Sequence, residues 1–461
     1  MRILLVHPAL EGNFYGEVRL PPLGIAYIAG VLRREGHEIE ILDENAHDRP
    51  EGLLESALKK DFEVVGFSAT SASFPRAARL SRLVKEMSPD SKVILGGIHA
   101  TIFPREILEA NGSIDYIVAG EGEETCMELV RRIQDCAAPS DVSGVAYRKD
   151  GGALENPRRP LIEKLDDLPF PAYDLLPLRR YESVQIEKTP FTSMITSRGC
   201  PFGCTFCGAF RMFGRRFRFH SPERTFSEVR HLVENHKIRE IMFKDSEFLI
   251  DKGRVEKFCD LLLEGSLDLA WSCNARADNV TESLLSRMRR AGCHLIKFGV
   301  ESGDDSVLRR MKKGMTTNQV REAVKTAKRA GIRTEASFMI GNAGDSRKTI
   351  EKTIEFALEL DTDFVNFGLA VPLPDTELYE TARKSGWLMP GFDPHGIKFG
   401  KCYMNATDLS SEELVRFVGE GYRRFYLRPG YVMKRTLTAN RIVWRENLKG
   451  LSRILRILSK R

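Results

Sequence analysis

Residues 197–210 read SRGCPFGCTFCGAF and place Cys200, Cys204 and Cys207 at C-x3-C-x2-C spacing, directly after the β-rich run FTSMIT of residues 191–196. Three thiolates on one short loop can ligate three irons of a four-iron cluster and leave the fourth iron open to a substrate or cofactor. A structural zinc loop is the alternative, but zinc there takes four ligands in paired spacings, and no second Cys or His pair follows at matching distance. Cys126, Cys136, Cys259, Cys273, Cys293 and Cys402 have no partner spacing and read as small buried residues. Nine cysteines so arranged speak for free thiols and metal ligands, not disulfides.

FTSMIT opens a series of short apolar runs separated by helix-length segments. EIMFK, LAWSCNA, LIKFGV, RTEASFMIG and DFVNFGLA follow, with helices such as RTFSEVRHLVENH, GRVEKFCDLLLEG and TNQVREAVKTAKRAG between them. Strands that each precede a helix predict a partial (βα)6 barrel over residues 191–400, with reacting groups at the C-terminal strand ends. Upstream, RILLVHP, HEIEILD, EVVGFSA, KVILGG and YIVAGEGE alternate with helical segments, and VSGVAYRKDGG closes the unit as a hairpin. This predicts an α/β fold with a doubly wound parallel sheet over residues 1–150. The Pro- and acid-rich PLIEKLDDLPFPAYDLLPL marks residues 151–190 as an extended linker. Residues 401–461 read as a small, mostly helical, basic C-terminal region.

Composition agrees with a multi-domain globular chain: 461 residues, 42% hydrophobic, 29% charged. No apolar run approaches the roughly 18 residues that span a bilayer, and the first residues lack a signal-peptide pattern, so a cytoplasmic protein is expected. Of the net charge of +6, residues 421–461 carry about +11, with twelve Lys or Arg against Glu446 alone. Within them IVWRENLKGLSRILRILSKR spaces its leucines and isoleucines helically between basic residues. Such a helix either docks on its own domain or lies in an anionic membrane interface, giving possible peripheral membrane contact. Nothing points to nucleic acid.

The three-Cys loop, with the aromatic Phe206 before the last Cys, resembles that of the radical S-adenosylmethionine superfamily. The resemblance implies a 4Fe-4S cluster on Cys200, Cys204 and Cys207, chelation of S-adenosylmethionine by its open iron, and an external electron donor such as flavodoxin or ferredoxin. FKDSEF resembles the family's acidic motif near the methionyl amine, which nominates Asp245 and Glu247. NARAD resembles the segment whose Arg meets the methionyl carboxylate, which nominates Arg276. FGVESG resembles the ribose-contacting motif and nominates Glu301 and Ser302; as a local alternative, Ser302 and Asp304 could cap the helix DDSVLRRM. GNAGDSRKT departs from the family's Gly-Leu-Pro-Gly-Glu-Thr turn, so no cofactor contact is carried onto residues 341–345.

PPLGIAYIAGVLRREGHEIEILD, VVGFSAT, ILGGIHAT and DYIVAGEGEET, in that order, resemble the cobalamin-binding domain that precedes the radical domain in cobalamin-dependent members. The resemblance places Ser68, Thr70, Gly96, Gly97 and His99 at cobalamin-facing strand ends. The Asp-x-His-x-x-G motif that supplies an axial His to cobalt is missing from HPALEGNFYGEVRLPPLG, so cobalamin is expected with its base displaced and neither His7 nor His99 on cobalt. Together the two resemblances imply a methyltransferase that acts on an unactivated carbon of a small-molecule or lipid-like substrate through a 5′-deoxyadenosyl radical and methylcobalamin. A radical cyclase or rearrangement enzyme, like the anaerobic magnesium-protoporphyrin ester cyclase, shares the domain order. A non-catalytic cobalamin or redox-binding protein is a third alternative.

Overall fold

A computed structural model describes residues 1–10, 19–398 and 400–438. Most of the basic tail, including the amphipathic stretch from residue 442, lies outside the described residues.

The first sheet has the order β2-β1-β3-β4-β5-β6-β7. Its strands are β1 (Arg2–His7), β2 (Glu38–Asp43), β3 (Val64–Ser68), β4 (Lys92–Gly96), β5 (Tyr116–Val118), β6 (Val145–Lys149) and β7 (Gly152–Glu155). The first five are parallel, and the predicted hairpin extends the sheet by pairing β6 antiparallel to β5. The chain reverses direction across the sheet between β1 and β3. An open α/β sheet leaves a crevice at such a point, outside the strand C-termini.

After β8 (Phe191–Met194), the two-residue strands β9 (Ser197–Arg198) and β10 (Arg218–Phe219) pair antiparallel as a small ribbon. β8 then joins β11 (Glu240–Phe243), β12 (Ala270–Ala275), β13 (Cys293–Glu301), β14 (Arg333–Ile340) and β15 (Phe364–Leu369) in a six-stranded parallel sheet of order β15-β14-β13-β12-β11-β8. These strands are covered on the helix side, which is why they read as near-continuous apolar runs. Phe243, Phe248, Phe258 and Trp271 stack edge and face there, with ring centroids 4.9–6.5 Å apart. The helices begin on side-chain caps that the sequence displays, among them Ser221, Asp251, Thr281, Thr316 and Ser346.

A half-barrel leaves β15 as an open edge, and a bare edge exposes unpaired backbone groups. Three tyrosines from the C-terminal helices close it. The Tyr426 hydroxyl accepts from Val365 N at 3.0 Å and donates to Val365 O at 2.9 Å, Tyr422 accepts from Phe367 N at 3.1 Å, and Tyr431 donates to Asp363 O at 2.8 Å. The C-terminal region thus substitutes side-chain hydroxyls for a seventh strand.

The segment read as an extended linker is packed instead. It folds into three short 3-10 turns, and Leu165, Leu168, Ala172, Tyr173 and Leu176 are buried. Its prolines set the backbone, but the apolar residues between them fill the seam: Ala172 N donates to Ala26 O at 2.9 Å and Tyr173 Oη to Glu228 Oε1 at 2.8 Å. The two sheets are therefore joined by a buried strap.

Candidate active site at the strand ends

The cysteine loop leaves β9 through Gly199, whose φ is 82° and whose missing Cβ would lie 2.0 Å from Arg216 O. Only glycine passes there. Cys200 N donates to Gly214 O at 3.4 Å and Thr205 N to Met311 O at 3.0 Å, so the loop is pinned both to its own return leg and to the segment after β13. All three thiols are half-buried and none is in a disulfide. Burial pushes the Cys200 and Cys204 thiols up, while the Lys313 and Arg276 cations pull Cys204 back down. Cations beside a thiol favour the thiolate that a metal requires. Among the described residues, no three His, Cys, Asp or Glu side chains converge as a single ion would need. Three half-buried thiols on one loop, with the Lys313 and Arg276 cations acting on Cys204, fit a multi-iron cluster.

Arg276, Glu301 and Glu247 gather around this loop. The Arg276 guanidinium lies 3.7 Å from the centroid of the Phe202 ring, between Cys200 and Cys204 in the sequence. It is held by Asp278, at 3.0 and 2.8 Å, and by Lys313 O at 2.8 Å. Glu301 stands at a register shift between β13 and β14 with φ of 72°, a conformation a non-glycine residue adopts only when its surroundings enforce it. Its Oε1 accepts from Lys313 Nζ at 2.8 Å; a Cβ on Gly299 would lie 2.8 Å from Glu301 Oε1. Glu247 is buried, accepts from Leu249 N at 2.8 Å and from Arg276 N, and burial pushes its carboxyl up to about 7.

Asp245 and Ser302 do not join them. Asp245 Oδ1 accepts from Thr196 N at 3.1 Å, Thr196 Oγ1 at 2.8 Å and Ser197 Oγ, and so holds the turn from β8 into β9 behind the loop. Ser302 Oγ lies 3.2 Å from Thr353 Oγ1 and accepts from Asp304 N at 3.1 Å, while Asp304 caps the helix Asp305–Arg310. Sequence reasoning missed Lys313, which sits in RRMKKG with no motif to mark it.

In the first sheet, a cavity of about 990 Å³, open solvent at its mouth included, runs from the strand C-termini down between the sheet and the helices Leu23–Arg34 and Gly122–Gln134. Gly66, Gly96, Gly97, Gly120 and Gly122 line it, with Ile3, Leu5, Ile25 and Val118 as apolar walls. Gly97 has φ of 94°, and a Cβ there would lie 2.6 Å from Ala69 O. Ser68 also lines the cavity. Thr70 N instead donates to Ser73 Oγ at 3.1 Å. His99 is fully buried, its Nδ1 2.9 Å from Ser71 Oγ and its Nε2 3.1 Å from His395 Nδ1, so both ring nitrogens are taken. His7 Nδ1 is 2.9 Å from Asp43 Oδ1. A deep, glycine-floored, apolar slot beneath a strand-end crevice fits a large flat cofactor with a long tail.

Residues 16–130 match the model of the B12 binding domain, and residues 194–357 match that of the radical SAM superfamily. The uncharacterized methyltransferase PH0819 of Pyrococcus horikoshii is 34% identical over 98% of this chain and 98% of its own length. The chain belongs to the cobalamin-dependent radical S-adenosylmethionine family. Other relatives include the anaerobic magnesium-protoporphyrin IX monomethyl ester cyclase of Rubrivivax gelatinosus, 29% identical over 94% of this chain and 78% of its own. The fold is that of TsrM from Kitasatospora setae, a radical S-adenosylmethionine methyltransferase solved with cobalamin and a [4Fe-4S] cluster, at a TM-score of 0.73 and 18% identity over 93% of this chain and 89% of that one. OxsB, solved with aqua-cobalamin and S-adenosylmethionine, aligns at a TM-score of 0.75 and 19% identity over 98% and 70%. Family membership accounts for a cysteine loop and a glycine-lined cavity in one chain.

Proposed function

We propose that this chain is a methyltransferase that acts on an unactivated carbon, with cobalamin in the glycine-lined cavity and a four-iron cluster on Cys200, Cys204 and Cys207. The observation that carries the reading is the juxtaposition of the two sites: Arg198, two residues before Cys200, lines the cavity together with Met212 and Phe213. When bound, the cluster and S-adenosylmethionine supply a carbon radical and cobalamin supplies the methyl group. The chain's own residues bind and aim. Arg276 offers a guanidinium to a carboxylate, Glu301 offers a carboxylate to ribose hydroxyls, and Lys313 fixes Glu301 in its strained position. Glu247 orients the backbone at Arg276 and would offer its carboxylate to the methionyl amine. Ser68, Gly96 and Gly97 line the cofactor slot; Asp245, Ser302, Thr70 and His99 support the loops behind these contacts.

The substrate is a small or lipid-like molecule, and a flavodoxin or ferredoxin supplies electrons. Among the described residues, no helix is long and apolar enough to cross a membrane. Peripheral contact through the basic C-terminus is tested by cosedimentation with anionic liposomes at low and high salt, with and without residues 440–461. The cyclase relative supports a second reading, radical oxidative cyclisation without methyl transfer. Turnover with S-adenosylmethionine carrying a deuterated methyl group separates the two. Methyl transfer yields both 5′-deoxyadenosine and S-adenosylhomocysteine, with the label in the product. 5′-Deoxyadenosine with no S-adenosylhomocysteine would favour the cyclase.

A further inference from the structure

We propose that Arg198 is a positioning residue that ties the glycine-lined cavity to the cysteine loop, so that a corrinoid in the cavity and a cluster on the loop strengthen each other's binding. This rests on the cofactor assignment above and adds a linkage between the two sites. Arg198 Nη1 lies 3.0 Å from Glu121 Oε1, and its Nη2 donates to Glu123 in 2.5 Å. Glu121 is gripped a second time by Arg218, at 2.9 and 3.0 Å, and accepts from Ile162 N at 2.8 Å. These two arginines and two glutamates are each no more than 6% exposed and sum to zero charge. Glu121 and Glu123 flank Gly122 in the turn from β5 into the next helix and line the cavity beside Gly120 and Gly122.

The other side of the contact is the cysteine loop. Arg198 and Arg218 face each other in the β9–β10 ribbon, and Cys200 is two residues beyond Arg198. The guanidinium of Arg198 also lies over the Tyr27 and Phe213 rings, at 5.4 and 5.6 Å, and both rings line the cavity. Gly214, next after Phe213, accepts from Cys200 N. Both legs of the loop therefore bear on the cavity wall through a closed, buried charge set. Displacing such a set is costly, because separating the partners leaves a buried charge uncompensated. A ligand that holds the Gly120–Glu123 turn in place therefore holds Arg198, and with it the start of the loop.

The test is the reciprocal linkage that two coupled sites must show. Full-length protein is titrated anaerobically with hydroxocobalamin, with and without a reconstituted cluster, and iron release to bathophenanthroline disulfonate is timed with and without the corrinoid. In the wild type the cluster is expected to tighten hydroxocobalamin about tenfold, and the corrinoid to slow iron release several-fold. Removing Arg198 outright invites misfolding, so two conservative variants carry the comparison. Glu123→Gln keeps an acceptor without the charge, and Arg198→Lys keeps the charge without the fork that spans two carboxylates. Both should still bind each cofactor, with the affinity ratio falling toward one. Two cofactors bound independently in the wild type, or an undiminished ratio in both variants, would overturn the inference while leaving the cofactor assignment intact. A wild type that binds no hydroxocobalamin would overturn that assignment and this inference with it.

Discussion

The two sheets make room for their ligands in opposite ways. At the C-terminal ends of the first, side chains are missing: Gly66, Gly96, Gly97, Gly120 and Gly122 open a slot, and the His99 imidazole is buried with both ring nitrogens engaged. At the ends of the second, side chains are supplied: three thiols, Arg276, Glu301, Lys313 and Glu247 crowd one loop and its surroundings. One site is built from space and the other from charge. The first should respond most to atoms added on its glycine floor, and the second most to loss of the charges around its thiols.

The sharpest break is at the thiols. Replacing Cys200, Cys204 and Cys207 together by Ala should abolish iron binding and reduce cleavage of S-adenosylmethionine to 5′-deoxyadenosine to background, with hydroxocobalamin binding preserved except for the linkage argued above. Loss of corrinoid binding altogether would merge the two sites into one. Next comes Gly97→Ala, which adds a Cβ 2.6 Å from Ala69 O at a positive φ. It should cost about 3 kcal/mol, seen as a lower Tm, and weaken corrinoid binding while iron content holds.

Within the charged site, Lys313→Met leaves Glu301 without its cation. A double-mutant cycle with Glu301→Gln, read as S-adenosylmethionine affinity, should give a coupling of about 1–3 kcal/mol; additivity would show the pair is unconnected to the cofactor. The smallest effect is a pH dependence at Glu247. Its carboxyl is raised to about 7 in the folded protein, so the folded state holds its proton more tightly than the unfolded chain. Stability from this group is present below the unfolded value near 4.5 and is lost as pH rises through 7. Glu247→Gln should therefore raise the Tm of cofactor-free protein at pH 8, by about 1 kcal/mol of stability, and leave it unchanged at pH 4.5. An equal shift at both would place the carboxyl at an ordinary pKa.

The same contrast explains what could be read from the chain. Cysteine spacing and the alternation of strands with helices are local, so the loop and the two parallel sheets are legible; Arg276 and Glu301, nominated by resemblance, lie beside the loop at strand ends. The facing of side chains was harder. Asp245 and Glu247 are two apart in FKDSEF, yet one braces the turn into β9 and the other abuts Arg276. Lys313 meets Glu301 across 12 residues, and Arg198 meets Glu121 across 77, pairings that no single-sequence pattern encodes. Proline density suggested an extended linker because it reports backbone preference; burial of Leu165 and Tyr173 depends on surfaces from both sheets.

The most direct test of the account is a cofactor count on one anaerobically reconstituted sample of the full-length protein. The two-site reading predicts roughly four irons, roughly four sulfides and about one corrinoid per chain, with cob(II)alamin spectra free of axial imidazole nitrogen coupling. About one zinc per chain with no iron, or imidazole coupling that vanishes on His99→Ala or His7→Ala, would contradict it.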